Sequence, residues 1–356
     1  MKAVLFDPYL DTLGGGERYF LTLASYLTDM NWQVDILWPD MNTIKKAQQI
    51  FAIDTERVKI LDINPNEIKL LKKIEIMRKY DLSFFISDGS IPFLFAKKNF
   101  LHFQVPFHNI RRNKLAELIK FKFINEIISN SYFTKLFIDK QYSIKSQVIY
   151  PPVTVDKLSP GKKSNIILSV GRFTDLLHNK RQDVLINIFI RLIASRKDSW
   201  KLVLAGNDKE GKKFVENLKK ASLGYPIEVL TNVSFTQISE LYRRAKIFWS
   251  ATGYGIDEGK SPEQVEHFGI TTVEAMAAGC VPIVVGKGGQ KEIIDSGRNG
   301  FLWNNIDEAQ TFTRQLIEDE ILWQKLSQNA VYESQKFSKD RFCKSYEKII
   351  EKISRT

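Results

Sequence analysis

The stretch from Glu263 to Ile294 decides the fold and reads EQVEHFGITTVEAMAAGCVPIVVGKGGQKEII. Its Phe268-Gly269 pair predicts a turn, because glycine tolerates the unusual φ of a loop-to-helix junction. We expect a helix over Ile270–Ala278, followed by a buried strand over Val281–Val285. A loop, a helix and an apolar β-branched strand in this order are typical of an α/β domain.

Two carboxylates lie eight positions apart around this helix start, Glu266 outside it and Glu274 about one turn inside. The backbone N–H groups near Gly269 and Thr271 point out of a helix N-terminus, where an anion is stabilised. A diphosphate fits there, and carboxylates on either side can accept hydrogen bonds from hydroxyl groups. Spacing alone favours an ordinary loop–helix–strand unit with two solvated glutamates, so the interpretation depends on the rest of the chain.

Short apolar strands alternate with helical segments in two sets, which Pro151-Pro152 separates. This alternation predicts two doubly wound parallel sheets, with ligands beyond the carboxyl ends of the strands. We also expect a helix over residues 16–28 after the first strand. The predicted strands are residues 3–6, 34–37, 58–61, 82–87, 100–103, 127–130 and 148–150 in the first set, and 166–170, 201–205, 227–230, 247–250 and 281–285 in the second.

The segment 266–294 resembles the donor-binding segment of retaining family 4 glycosyltransferases, which have the GT-B fold. The resemblance implies two Rossmann-like doubly wound parallel-sheet domains that face a central cleft. The N-terminal, acceptor-side domain would cover residues 1–155 and be joined by a C-terminal helix over 338–356, and the nucleotide-sugar-binding domain would cover 156–337. The other matching motifs are FDPY at 6–9, GGGER at 14–18, YPPV at 150–153, SVGRF at 169–173 and HNKRQ at 178–182.

The resemblance also implies roles for the residues around the helix start. Glu274 would hydrogen-bond the nucleotide ribose, and Glu266 would contact hydroxyls of the transferred sugar in the catalytic site. The amides of Phe268, Gly269 and Ile270 would meet the distal phosphate of the donor.

Two cations follow Gly171, itself an expected donor contact, at the end of the first strand of the second set. A diphosphate leaving group develops negative charge, and we expect Arg172 and Lys180 to stabilise it. The spacing leaves Arg181 as an alternative to Lys180. A solvated basic loop is the simpler interpretation of both cations.

The first glycine cluster also follows a strand and begins a helix. A dinucleotide fingerprint would need a third glycine where Tyr19 stands, so we expect no Rossmann cofactor. The family's corresponding loop faces the donor phosphates, which makes Gly15 and Gly16 expected donor contacts. At the end of a first-domain strand, His102 is the predicted catalytic histidine, with His108 as the alternative and a packed structural role as the simpler interpretation of His102.

Composition limits the function classes. Of 356 residues, 44% are hydrophobic and 26% charged, which is typical of a globular protein. Cys280 and Cys343 form no CxxC, and the chain has no Asp-x-Asp pair for holding a metal on a nucleotide-sugar. We therefore expect no metal and no cofactor, and a cytoplasmic protein without a signal peptide or transmembrane helix.

The net charge of +11 allows a basic surface. Residues 68–74 and 111–122 mix cations with leucine, isoleucine and phenylalanine, so they predict either a solvated helical face or contact with an anionic inner membrane surface. No nucleic-acid motif accompanies the charge, and no nucleic-acid partner is expected.

The sequence therefore predicts a metal-independent retaining glycosyltransferase that moves a hexose, mannose first, to a glycan or lipid-linked acceptor. GDP-mannose is the first donor expectation and a UDP-sugar the second. The alternatives are a GT-B-fold sugar-nucleotide epimerase and a non-catalytic basic binder of nucleic acid or membrane.

Overall fold

The chain divides into two compact units in a computed structural model that describes residues 1–64, 67–110, 113–175, 179–194, 199–209 and 211–354. Unit 1 contains Met1–Pro152 and the segment that begins at Lys339, and unit 2 contains Val153–Ser338. The divisions predicted from the sequence follow residues 155 and 337.

Unit 1 is a parallel sheet with helices between its strands. Its elements in chain order are β1 (Lys2–Phe6), α1 (Gly15–Asp29), β2 (Gln33–Leu37), α2 (Met41–Phe51), β3 (Val58–Leu61), α3 (Leu70–Met77), β4 (Leu82–Ile86), β5 (Lys98–Phe103), α4 (Lys114–Phe121), β6 (Glu126–Ser129), α5 (Tyr132–Tyr142) and β7 (Gln147–Val148). Within the described residues the sheet has seven strands in the order β3-β2-β1-β4-β5-β6-β7. The central strand β4 is buried at every position, including Ser83, whose hydroxyl donates to Asn99 Oδ1 at 2.6 Å.

Unit 2 repeats this plan. Its elements are β8 (Ser164–Val170), α6 (Gln182–Ile193), β9 (Lys201–Gly206), α7 (Lys212–Ala221), β10 (Ile227–Thr231), α8 (Phe235–Arg244), β11 (Ala245–Ser250), α9 (Ile270–Ala277), β12 (Val281–Val285), α10 (Gln290–Ile293), β13 (Phe301–Trp303), α11 (Ile306–Glu318) and α12 (Glu320–Ser334). Its parallel sheet has the order β10-β9-β8-β11-β12-β13 over the described positions. The two predicted parallel sheets are confirmed. Of the strands that the structure describes, the three-residue β13 is the one that was not predicted.

The last helix, α13 (Lys339–Ser354), belongs to unit 1. Its Tyr346 is fully buried, and the Tyr346 hydroxyl lies 2.8 Å from that of Tyr19 on α1. Phe342 packs edge-on against the Tyr19 ring, with ring centroids 4.8 Å apart. The chain thus returns to complete the N-terminal core.

Some predicted features are not covered. Arg111, Arg112, Leu176, Leu177 and His178 lie outside the described residues. Elsewhere, no described helix is both long and apolar enough to cross a membrane.

Candidate functional site

The start of α9 is a helix N-terminus led by glycine. Gly269, the N-cap, has a φ of 121° and a ψ of 54°, which glycine tolerates and other residues rarely adopt. Its carbonyl accepts the first helical hydrogen bonds, from the amides of Thr272 and Val273 at 3.0 and 3.2 Å. No described side chain caps this start, so the first-turn N–H groups can serve an anion.

A buried glutamine supports the same helix start. Gln290 is 1% exposed and donates from Nε2 to the Thr272 hydroxyl at 3.0 Å. A Cβ on Gly269 would lie 3.0 Å from Gln290 Nε2 and 3.1 Å from Ile293 Cδ1. The backbone angle therefore disfavours any residue but glycine at position 269, and the packing leaves little room for a Cβ.

The Gly288-Gly289 turn holds the loop before the helix. A Cβ on Gly288 would lie 2.1 Å from the Glu266 carbonyl oxygen, and one on Gly289 would lie 2.5 Å from that of His267. The Gly289 amide donates to the Glu266 carbonyl at 2.8 Å. Phe268 is buried and packs its ring on Phe337, so it faces the loop surface with its backbone alone.

The structure brings Lys180 to Glu266. Their Nζ and Oε2 atoms are 2.6 Å apart, and the two side chains are 22% and 16% exposed. The lysine stem crosses Gly171, where a Cβ would lie 2.9 Å from Lys180 Cγ. The loop after β8 and the loop before α9 therefore meet through one charge-assisted hydrogen bond.

The alternative cation, Arg181, has other partners. Its Nε lies 3.1 Å from Asp183 Oδ1, and its Nη1 donates to the Tyr254 carbonyl at 3.2 Å. Arg181 also precedes α6 with a φ of 49°. This geometry favours Lys180 as the cation of the site.

Arg172 lies on the same loop as Gly171 and is exposed. The Arg172 carbonyl accepts a hydrogen bond from Nε2 of the buried Gln182 at 3.2 Å. A Cβ on Gly206 would lie 2.0 Å from the Gly171 carbonyl oxygen, so a glycine also packs under this loop. No carboxylate in the described parts of the chain pairs with the Arg172 guanidinium, which can therefore meet an anionic ligand.

Glu274 lies one turn inside α9 and is 8% exposed. Its Oε2 accepts a hydrogen bond from the hydroxyl of Tyr242 on α8 at 3.2 Å. The same hydroxyl lies 3.3 Å from the Thr271 carbonyl oxygen. A neighbouring helix thus holds this carboxylate from its buried side.

The glycine loop of unit 1 has a different chemistry. At the N-cap of α1, the Gly14 amide donates to the carboxylate of the buried Glu17. A Cβ on Gly16 would lie 2.0 Å from Oε1 of Gln104, so that side chain covers the helix start. The contact of Gly15 and Gly16 with a donor stays a prediction.

Asp7 is a fully buried carboxyl group after β1. Its Oδ1 accepts the Tyr9 amide at 2.9 Å. Burial, followed by the negative charge of Glu17, raises the pKa of Asp7 well above its ordinary value. This end of the unit 1 sheet therefore carries neighbouring carboxyl groups, to which the sequence predictions give no role.

His102 is buried in the core of unit 1. Its side chain has 0% exposure, and its ring stacks on Tyr19 with centroids 4.1 Å apart. Burial lowers the pKa of His102 to about 3, and the nearby Ile128 carbonyl offsets this only in part. Such burial does not support a contact between the His102 side chain and a substrate. The alternative, His108, is half-buried and packs edge-on against Phe137.

Comparison with known proteins identifies the family. The model of the family "Glycosyl transferases group 1" matches residues 154–333, which is half of the chain. The chain belongs to the group 1 glycosyltransferases. The matched region is almost all of unit 2, which contains Lys180, Glu266 and Glu274.

Relatives of this group 1 glycosyltransferase differ in coverage. It is 26% identical over 231 residues to the Dictyostelium discoideum GDP-Man:Man(3)GlcNAc(2)-PP-Dol alpha-1,2-mannosyltransferase. The matched region covers 60% of this chain and 44% of the relative. The chain thus spans about half the length of that curated relative. Over a wider share, 65% of this chain and 60% of the relative, it is 28% identical to an uncharacterized glycosyltransferase of Methanocaldococcus jannaschii.

A solved structure agrees with the fold over the full length. A glycosyltransferase from Rickettsia africae superposes with a TM-score of 0.80 at 20% identity, covering 100% of this chain and 99% of its own. At that identity the likeness establishes the GT-B fold alone.

Three supporting residues of this group 1 site were missed by the sequence analysis, namely Gln182, Gln290 and Tyr242. Each is almost fully buried and contacts the loop or helix in which a predicted donor-binding residue lies. Polar side chains inside apolar helix faces were the available signal, but only packing reveals what they contact. Across the described residues, no group of three or more His, Cys, Asp or Glu side chains is arranged around a metal position.

Proposed function

We propose that this chain is a retaining, metal-independent glycosyltransferase that transfers a hexose, mannose first, from a nucleotide-sugar to a glycan or lipid-linked acceptor. The observation that carries this is the Lys180–Glu266 ion pair beside the open start of α9. The mannosyltransferase named for the Dictyostelium relative supports GDP-mannose as donor, and a UDP-sugar is the second choice.

The geometry supports a division of labour among the named residues. The amides at the start of α9 would receive the distal phosphate, with Lys180 and Arg172 as its counter-charges. Glu266 would accept hydrogen bonds from sugar hydroxyls, and Glu274 from the ribose. Because two cations and a helix start supply the positive charge, the reaction needs no metal ion to stabilise the diphosphate.

The bond changes follow from retention on one face of the sugar. The acceptor oxygen forms the new bond to the anomeric carbon as the bond from that carbon to the phosphate oxygen breaks. The proton of the acceptor hydroxyl passes to the departing phosphate. This route asks the protein to bind charge and orient substrates, without a protein base.

A thermal-shift screen of GDP-, UDP- and ADP-sugars tests the donor, since a ligand that binds only the folded chain raises its apparent stability. We expect a shift with GDP-mannose or a UDP-sugar and a smaller one for Lys180→Met. The absence of any shift would overturn the proposal. Conversion of the bound donor without an acceptor would instead support an epimerase.

We further propose that unit 1 binds an anionic membrane surface through α3 and α4. Leu71, Leu115 and Leu118 are 81%, 72% and 62% exposed on these helices. Burial lowers the pKa of Lys73, and the positive charge of the nearby Lys120 lowers it further. Exposed leucines among like-charged lysines fit acyl chains and anionic headgroups.

Sedimentation with vesicles of phosphatidylglycerol and phosphatidylcholine tests this surface. The variant Leu71→Glu/Leu118→Glu should lose about tenfold or more in binding, because each change removes apolar contact and adds repulsion. Leu223→Glu in unit 2, at a position 75% exposed, is the matched control. Equal binding by all three chains would contradict the proposal.

A further inference from the structure

A single tyrosine hydroxyl connects two helices behind the start of α9. Tyr242 on α8 is 1% exposed. Its hydroxyl oxygen lies 3.2 Å from Oε2 of Glu274 and 3.3 Å from the carbonyl oxygen of Thr271, and the hydroxyl can donate to either. The hydroxyl therefore contacts both the carboxylate of α9 and the first turn of the same helix.

The two helices are also tied together at their C-terminal ends. The amine of Lys163 donates to the carbonyls of Tyr242, Ala245 and Ala278 at 3.2, 2.8 and 2.6 Å. Ala245 and Ala278 are the C-caps of α8 and α9, where orphan carbonyls and the negative end of the helix dipole favour a cation. The thiol of the buried Cys280 donates to the Tyr242 carbonyl as well, at 3.2 Å.

We propose that Tyr242 is a positioning residue that sets the orientation of the Glu274 carboxylate for the ribose hydroxyls of the donor, with Lys163 holding α8 and α9 in register. This inference rests on the proposed function, which makes Glu274 the ribose ligand. A glutamate side chain has several rotamers, and a hydrogen bond to one oxygen restricts how the carboxylate is presented.

The test compares nucleotides with and without ribose hydroxyls. Affinities of GDP and 2′,3′-dideoxy-GDP, and of the matching UDP pair, are measured by calorimetry for the wild-type chain, Tyr242→Phe, Glu274→Gln and the double variant. We expect Tyr242→Phe to weaken ribonucleotide binding by about three- to tenfold and the dideoxy analogue by less. The preference for ribose should fall towards that of Glu274→Gln.

The double variant separates positioning from general support. If Tyr242 acts through Glu274, the double variant binds no more weakly than Glu274→Gln alone, whereas independent effects would multiply. Tyr80→Phe is the matched control, because the Tyr80 hydroxyl also donates to a carboxylate, that of Asp35 at 2.6 Å in unit 1. It should leave the ribose preference unchanged.

Three results would overturn the inference in distinguishable ways. A ribose preference that survives Tyr242→Phe removes the role of Tyr242 and leaves the proposed function intact. A wild-type chain that binds both nucleotides of a pair equally removes the ribose role of Glu274 and the inference with it. If neither GDP nor UDP binds, the proposed function fails as well.

Discussion

The two units each contain a helix that begins with glycine after a strand, and the two helix starts differ in charge. At α1, the Gly14 amide is bonded to the Glu17 carboxylate, and the buried Asp7 lies nearby. At α9, no described side chain caps Gly269, and the neighbouring loop brings in Lys180. The α1 start therefore already has a carboxylate of the protein beside it, whereas the α9 start has a lysine on the neighbouring loop and can take an anionic ligand. Similar glycine patterns thus encode different chemistry.

The largest expected effect is the loss of activity on replacing Lys180, the cation beside the start of α9. Lys180→Met removes the proposed charge-assisted hydrogen bond to the donor diphosphate, which is worth about 1.5–3 kcal/mol. We therefore expect kcat/KM for the donor to fall by about ten- to a hundredfold. The adjacent Arg181→Ala is the control, because Arg181 pairs with Asp183 instead of Glu266. Steady-state kinetics with donor and acceptor provide the measurement. An equal loss of kcat/KM in both variants would contradict the proposed contact between Lys180 and the diphosphate.

A pair of alanine substitutions compares the two helix starts directly. Gly269→Ala forces a side chain into a φ of 121° against Gln290, a strain of about 1 kcal/mol or more, and should weaken GDP or UDP binding roughly fivefold. In Gly16→Ala the atoms nearest to the new Cβ belong to the flexible end of the Gln104 side chain, so binding should change by less than about threefold. A larger loss of nucleotide binding for Gly16→Ala than for Gly269→Ala would indicate that the phosphate binds at unit 1 instead.

The last prediction concerns the stability of unit 1 and not the binding of a donor. The raised pKa of Asp7 means that the folded chain holds this proton more tightly than the unfolded chain does. The free energy of unfolding should therefore fall as pH rises from about 4 towards the folded pKa, by about 1.4 kcal/mol per unit of pKa shift passed. Asp7→Asn lacks this titration, so its stability relative to wild type should increase with pH in urea titrations.

Asp81, whose pKa is shifted in the opposite direction, provides the control. The Lys97 amine, followed by the Lys2 amide, lowers the pKa of Asp81. Asp81→Asn should therefore become less stable relative to wild type as pH rises through the acidic range. The same direction for Asp7→Asn and Asp81→Asn would contradict the account of Asp7.

Much of the fold was predictable because buried parallel strands are continuous apolar runs. The predicted strand at 281–285 agrees to the residue with β12, which is buried at every position. The predicted strand at 58–61 agrees with β3, an edge strand that is only partly buried. The strand β13, at Phe301–Trp303, was missed because three residues show no period, and it is defined by its pairing with β12.

For the candidate site, the sequence predicted residues but not the contacts between them. Glu266 and Lys180 could be named from motifs, but their 2.6 Å contact joins positions 86 residues apart in the chain. The choice between Lys180 and Arg181 likewise required the positive φ that directs Arg181 to Asp183 and Tyr254. For His102, a motif position suggested catalysis, and the packing against Tyr19 showed burial.

The sequence by itself determined the alternation of strands and helices, the glycine that begins α9 and the acids and bases around it. These are local properties, set by backbone conformation and by the period of apolar residues. Only the tertiary structure decided which groups from different segments meet: Lys180 with Glu266, and Tyr242 with Glu274. Such partners come from distant segments, and their pairing depends on how the helices pack on each sheet, which no local pattern specifies.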